Sequence, residues 1–241
     1  MRQLTTVIFA SLFVLISSAA PMMVNAADTP HVQVVYTINT HNNTQAYLEV
    51  IKPIIARLNK ISPKTMVRVY EAQFAGSEAG KVYVVVEQPS MTYMDEIRDK
   101  VDNDAEITRL FPKLIEISTR EATGLYVDRA PQQATGVNNR VQVVYAINTN
   151  GHTAEYLAGT KKVDARFLAL SPKATVRVFE SMFDGEGAGT ILIIVGYPSM
   201  TYLEENNDKI GNDAELTKLF ADRDKIGASI VSVSLLNDIT P

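Results

Sequence analysis

The 241-residue chain contains no cysteine and no tryptophan, and only three histidines. Without a thiol it can form no disulfide, no thiolate zinc site and no cysteine nucleophile, so stability must come from burial. A metal site needs several converging ligands, and three histidines offer few. His41 and His152 fall in turns without being equivalent positions, and they read as solvated loop residues. A basic excess is also lacking: 23 Lys and Arg face 27 Asp and Glu, a net charge of −4. That balance supplies no electrostatic footprint for nucleic acid. No Gly-x-Ser-x-Gly elbow gathers a nucleophile with a base. Gly185-Glu186-Gly187-Ala188-Gly189 joins two expected strands rather than a strand to a helix, so it reads as a hairpin loop and not a phosphate cradle. Asn42-Asn43-Thr44 fits a glycosylation sequon, which has meaning only in a eukaryotic secretory pathway.

What is present begins at the N-terminus. Arg2 precedes an apolar run from Val7 to Ile16, followed by Ser17-Ser18-Ala19-Ala20 and a small-residue site ending Val24-Asn25-Ala26. This is the three-part pattern of a secretory leader, expected over residues 1–26 and cleaved after Ala26. The run is about half of the ~20 residues that a spanning helix needs. The expected mature protein is therefore exported, to periplasm or medium, with no membrane span.

The remainder repeats itself. Val32-Gln33-Val34-Val35-Tyr36 returns as Val141-Gln142-Val143-Val144-Tyr145, and Pro89-Ser90-Met91-Thr92-Tyr93 as Pro198-Ser199-Met200-Thr201-Tyr202. Asn103-Asp104-Ala105-Glu106 and Asn212-Asp213-Ala214-Glu215 keep the same offset. A period this long marks a duplicated domain without net insertion. The expected units are residues 27–128 and 140–241, joined by a polar linker over 129–139.

Within each unit, alternation from Val32 to Thr40 predicts a strand. Tyr47, Ile51, Ile54, Leu58 and Ile61 predict a helix from Thr44 to Ile61, repeated by Tyr156, Thr160, Val163, Phe167 and Leu170. Pro53 predicts a kink that Lys162 in the second copy does not share. Ser62-Pro63 and Ser171-Pro172 end these helices. Thr65–Phe74 and Val82–Val86 read as a hairpin. A helical region in two pieces follows, with Thr92 and Thr201 capping the first and Asn103 the second. A last strand runs near Ala122 to Val127.

The order strand, helix, strand, strand, helix, strand occurs twice, giving an α+β protein of two tandem ferredoxin-like (βαββαβ) repeats. This arrangement, with Ile-Asn-Thr ending strand one and Tyr197-Pro198-Ser199-Met200 leading into a helix, resembles the dimeric α+β barrel superfamily, its antibiotic-biosynthesis-monooxygenase-like branch in particular. The resemblance implies two sheets closing a barrel, here within one chain, as a monomer with pseudo-dimeric halves or a dimer of whole chains. Haem-degrading relatives use a set that includes tryptophan, which this chain lacks, and no cofactor is expected.

Strand phase then points to a site. Val32, Val34, Tyr36 and Ile38 should cover helices, leaving Gln33, Val35 and Asn39, with Gln142, Val144 and Asn148, on the other face. Arg68 and Tyr70, and Arg177 and Phe179, take the same face in strand two. The expected ligand-binding set is Gln33, Asn39, Arg68, Tyr70, Gln142, Asn148, Arg177 and Phe179, holding a small organic or anionic ligand inside the barrel. Alternatively each arginine pairs with an acid such as Glu71 or Glu180, or reaches solvent. Glu87-Gln88 becomes Gly196-Tyr197 in the second copy, which makes Glu87 the one carboxylate to consider as a proton acceptor. The leading reading is an exported, non-catalytic ligand-binding protein. A cofactor-independent monooxygenase-like enzyme and a protein-interaction module are the alternatives, because a scaffold does not choose among activities.

Overall fold

The computed structural model describes residues 31–129, 139–184 and 189–241. The first half runs β1 (Val32–Asn39), α1 (Thr44–Ile61), β2 (Met66–Phe74), β3 (Val82–Gln88), α2 (Met91–Asp102), α3 (Ala105–Ile117) and β4 (Thr119–Asp128). The second runs β5 (Val141–Asn148), α4 (Thr153–Leu170), β6 (Thr175–Phe183), β7 (Ile191–Tyr197), α5 (Met200–Gly211), α6 (Ala214–Asp224) and β8 (Ser229–Asp238). The expected leader and nearly all of the expected linker lie outside the described residues.

All eight strands form one closed antiparallel barrel in the order β1-β3-β2-β8-β5-β7-β6-β4. Each half contributes four neighbouring strands, and the halves join at two seams, β2 with β8 and β4 with β6. Closure removes the unpaired edges that two separate sheets would expose. The α+β class, the tandem ferredoxin-like order and the barrel are thus as the sequence pattern implies.

Alternation explains which face goes where. Val32 and Val34 pack with Met94, Leu125 and Val127 on the helix side, and Ile38 joins Tyr47, Ile51, Val82 and Val84 there. The opposite face, inside the barrel, gathers Tyr70, Ala72 and Leu236, with Tyr83, Val85 and Val144 against them. Gly124 serves this interior by close approach: a Cβ there would lie 2.6 Å from the ring and hydroxyl of Tyr126, whose phenol donates to Asp184 at 2.7 Å.

Three local expectations need correction. The helix caps are not Thr92, Thr201 and Asn103. Ser90 and Ser199 accept from the N–H of Tyr93 and Tyr202 at 3.1 Å, while Asp104 and Asp213 accept from Ile107 and Leu216 at 3.0 and 2.7 Å. Arg57 and Arg166 hold those two carboxylates in place, and Asn103 instead closes α2, its N–H donating to Asp99. The last strand begins at Thr119 rather than near Ala122, because its first five residues are exposed and carry no apolar alternation. The duplication also contains an insertion. Tyr36 pairs with Thr123 but Tyr145 with Val233, so β8 runs one residue behind the offset that relates all earlier strands. Helix α1 continues through Pro53 without interruption.

The second half buries a charge that the first does not have. Asp164 of α4 stands where α1 has Ile55, and Arg223 of α6 where α3 has Leu114. The Arg223 guanidinium lies 5.3 Å over the Tyr156 ring and 5.0 Å over Phe220. Burial lifts the Asp164 carboxyl from 3.8 to about 7 even though Arg223 opposes the shift. An acid with a raised folded-state pKa binds more protons folded than unfolded, so its destabilising effect is absent below pH 3.8 and grows until about pH 7. Asp164→Asn should therefore leave the melting temperature nearly unchanged at pH 4 and raise it by several degrees at pH 8, as calorimetry at the two pH values will read.

Candidate functional site

Inside the barrel, polar side chains meet at the β4–β6 seam. Arg177 of β6 donates from both terminal nitrogens to Glu87 of β3, at 2.6 and 2.8 Å, and from Nη2 to Asp128 of β4 at 2.8 Å. Its guanidinium also lies 4.6 Å over the Phe179 ring. Gln33 donates to Glu87 at 3.0 Å, and His31 Nδ1 approaches the same carboxylate at 3.4 Å. Glu87 and Asp128 come from the first half and Arg177 from the second, so the cluster ties the halves together. Burial alone would raise the Glu87 pKa, but the bonds from Arg177, Gln33 and His31 outweigh it and hold the carboxyl below its usual range. It is an engaged carboxylate whose lone pairs are occupied.

The pseudo-equivalent end, at the β2–β8 seam, is looser. Arg68 faces Asp238 at 3.6 Å with 42% of its side chain exposed. Gln142 donates to the Tyr70 hydroxyl at 2.8 Å. Gly196 replaces Glu87, and the Asn139 amide fills the room its absent side chain leaves, 2.2 Å from where a Cβ would stand. The structure thus brings Gln33, Arg177 and Phe179 together at one end and Arg68, Tyr70 and Gln142 at the other. Asn39 and Asn148 join neither group. Each sits where its strand ends and accepts from the backbone two residues on, His41 N–H and Asn150 N–H, at 2.9 Å. Glu180, an expected partner for arginine, is taken by Arg129.

Sequence reasoning did not anticipate a second feature, on the opposite face of the sheet. Between the first half-sheet and helices α1, α2 and α3 lies a cavity of about 500 Å³. Ile51, Ile54, Leu58, Val84, Ile97 and Phe111 are among its many apolar walls. Its polar groups are few: Tyr36, Tyr47, Gln88, Arg98, Ser118, Thr119 and Arg120. Gln88 is 4% exposed and its Oε1 has no hydrogen-bond partner. Among the described residues no carboxylate or imidazole lines the cavity. Burial raises Tyr36 and Tyr47, so both are neutral phenols. A haem iron takes an imidazole, thiolate, thioether or phenolate, and among the described walls only the two phenols belong to that set.

The same layer in the second half is lined differently. Leu58 is replaced by Phe167 and Gln88 by Tyr197, two buried aromatics whose rings meet edge to face at 6.4 Å. They belong to one continuous apolar cluster running from Val141 to Leu216. Duplicated backbones therefore line this layer with different side chains: the aromatic pair stands where the cavity has Leu58 and Gln88, and Thr160, Val163 and Asn206 stand where it has Ile51, Ile54 and Ile97. The signal was present in the Gln88/Tyr197 and Leu58/Phe167 mismatches.

No family profile matches the chain, and no curated protein matches it in sequence. Solved structures do share its fold. A proposed monooxygenase from Lactobacillus acidophilus superposes with a TM-score of 0.58 at 9% identity, covering 88% of this chain and 94% of that one. An anthrone oxidase-like protein gives 0.55 at 13% identity, covering 89% and 94%. A chlorite dismutase variant from Candidatus Nitrospira defluvii gives 0.53 at 8%, covering 89% and 93%. The likeness is one of fold: a closed α+β barrel, here with both halves in one polypeptide.

The unequal seams give two expectations. Arg177→Met strands two buried acids, at a cost of about 3 kcal/mol, and should lower the melting temperature by roughly 10 °C. That difference should shrink as pH falls below 4.5, where protonation of Glu87 removes the tie from the parent protein too. Arg68→Met, at a half-exposed and longer pair, should shift it by no more than about 2 °C. Separately, Arg68 occupies in the first half the place Arg177 holds in the second. Residues 27–130 alone should pair with themselves, each Arg68 meeting the other copy's Glu87 and Asp128. Residues 139–241 lack a counterpart of Glu87 and should dimerise more weakly, as sedimentation of the two fragments will measure.

Proposed function

We propose that this is an exported small-ligand-binding protein whose ligand occupies the helix-side cavity of the first half. The observation that carries the reading is the cavity itself: about 500 Å³ with largely apolar walls, in the size range of small-molecule sites. A packed core does not ordinarily leave such a space, and at two of its walls the duplicate half has larger residues, Phe167 and Tyr197, that would narrow it. The leader-like N-terminus supports export. Absence of a carboxylate or imidazole from the described walls favours binding over proton transfer, since general acid–base catalysis needs such a group within reach of the substrate. The monooxygenase and oxidase names among the structural neighbours support a catalytic alternative in the same cavity, which would have to work through Tyr36 or Tyr47.

A second reading places an anionic ligand within the barrel at Arg68, Gln142 and Tyr70. It is favoured by the exposure of Arg68 and the long separation of its ion pair. The experiment that chooses is saturation binding of the neutral apolar fluorophore N-phenyl-1-naphthylamine to the whole chain. One molecule should bind per chain, and Leu58→Phe with Gln88→Tyr, which copies the second half at those positions, should weaken it at least tenfold while the protein stays folded. Arg68→Met should leave it unchanged. Absence of saturable binding, or sensitivity to Arg68→Met and not to the filling pair, would overturn the cavity reading.

A further inference from the structure

Resting on that reading, we propose that the ligand is a long, extended apolar carboxylic acid, its acid group at Arg120 and a hydrogen-bond donor of its far end at Gln88. Two of the cavity's polar groups, Arg120 and Gln88, stand far apart along the sheet. Arg120 of β4 pairs in register with Ile38, whereas Gln88 of β3 pairs with Val32. Six residues of β1 separate those levels, roughly 20 Å at the rise of an extended strand. Between them the sheet presents Val84 and Val86, and the helices Ile51, Ile54, Ile55 and Leu58. The space is therefore long, polar at both levels, and apolar between them apart from Tyr36.

Each extremity asks for a different chemistry. Arg120 is exposed at the mouth beside Ser118 and Thr119, and no acid stands within ion-pair distance of it among the described residues. Lys81 and Asn39 engage the neighbouring Glu121 instead. The cavity's other cation, Arg98, is already paired with Asp95 at 3.0 Å and lies close to Asp102. A carboxylate entering the cavity thus finds one cation whose charge is not already matched. At the closed end the Gln88 carbonyl oxygen is buried without a donor. A buried acceptor left so is destabilising by about 1–3 kcal/mol, and a hydroxyl at the tail of the ligand would satisfy it.

The second half loses these features together. Arg120 corresponds to Ile230 and Gln88 to Tyr197, while Phe167 fills the room of Leu58. Arg120 and Gln88 thus have no counterparts in the second half, whose helix-side layer carries Asp164 and Arg223 instead. Burial of a hydrocarbon of this length against these walls also supplies the driving force, at about 25 cal/mol per Å² removed from water.

The test displaces N-phenyl-1-naphthylamine from the whole chain with hexadecanoic acid, its methyl ester and 16-hydroxyhexadecanoic acid. The acid should displace at least tenfold more tightly than the ester. In Arg120→Gln that preference should disappear, with ester affinity kept, which shows that the fold and cavity are intact. The hydroxy acid should exceed the plain acid in the parent protein and lose that advantage in Gln88→Leu. Equal displacement by acid and ester in the parent, or a preference that survives Arg120→Gln, overturns the assignment while leaving the cavity as a ligand site. Failure of the fluorophore itself to bind removes the ligand-binding reading and this inference with it.

Discussion

A four-stranded sheet that is apolar on both faces must cover both, and the whole molecule follows from that requirement. Each half lays its helices on one face and has nothing of its own for the other. The inner faces of the two halves are each other's only apolar cover, so Tyr70, Ala72 and Val85 of one meet Val144 and Leu236 of the other. Closing the ring also satisfies the edge strands, since β2 and β4 find β8 and β6. The ion cluster of Arg177, Glu87 and Asp128 sits on one of these seams and adds geometric definition to what burial drives. Buried ion clusters commonly contribute register more than net stability.

Duplication gave the halves the same backbone, and side-chain divergence made them unlike. The sharpest case is one dipeptide. Successive strand residues face opposite ways, so replacing Glu87-Gln88 by Gly196-Tyr197 alters both faces of the sheet at once. Inward, a carboxylate that grips Arg177 gives way to a gap entered by Asn139. Outward, an amide at the end of a cavity gives way to an aromatic ring packed on Phe167. One half carries the carboxylate that holds the pair together and the amide at a cavity, the other an edge-to-face pair of aromatic rings.

Much of the fold was legible because its causes are local or periodic. Alternation identified the helix-side face of Val32, Val34, Tyr36 and Ile38, and helical spacing identified the stripe from Tyr47 to Ile61. The order of elements, repeated, gave the tandem ferredoxin-like arrangement, and the family resemblance implied the barrel. Partners across the seams were not legible in the same way. Arg177 finds Glu87 some 90 positions earlier, whereas pattern reasoning looked to nearby Glu71 and Glu180. Asn39 shares the phase of Gln33, yet strand phase says nothing about distance along the strand, and Asn39 serves the turn instead. The cavity escaped because it is a volume difference between aligned residues: a Gln beside a Tyr, or a Leu beside a Phe, reads as an ordinary substitution until the space around both is known.

The two seams also constrain the order in which the molecule can be made. At one of them the Thr240 hydroxyl accepts from the backbone N–H of Val69 across 171 positions of chain, and Ile239 donates to the Val69 carbonyl. Such pairing carries a large loop-closure entropy and forms late. Until β8 is available, the inner face of the first half has no partner within its own chain. During synthesis that half is a sheet with one finished side and one adhesive side, and its exposure lasts for most of the time the ribosome needs to complete the second copy. A sequence that duplicates itself to make a closed barrel thereby accepts a long interval of vulnerability, in which a neighbouring nascent chain offers the same complementary surface as its own unfinished second half.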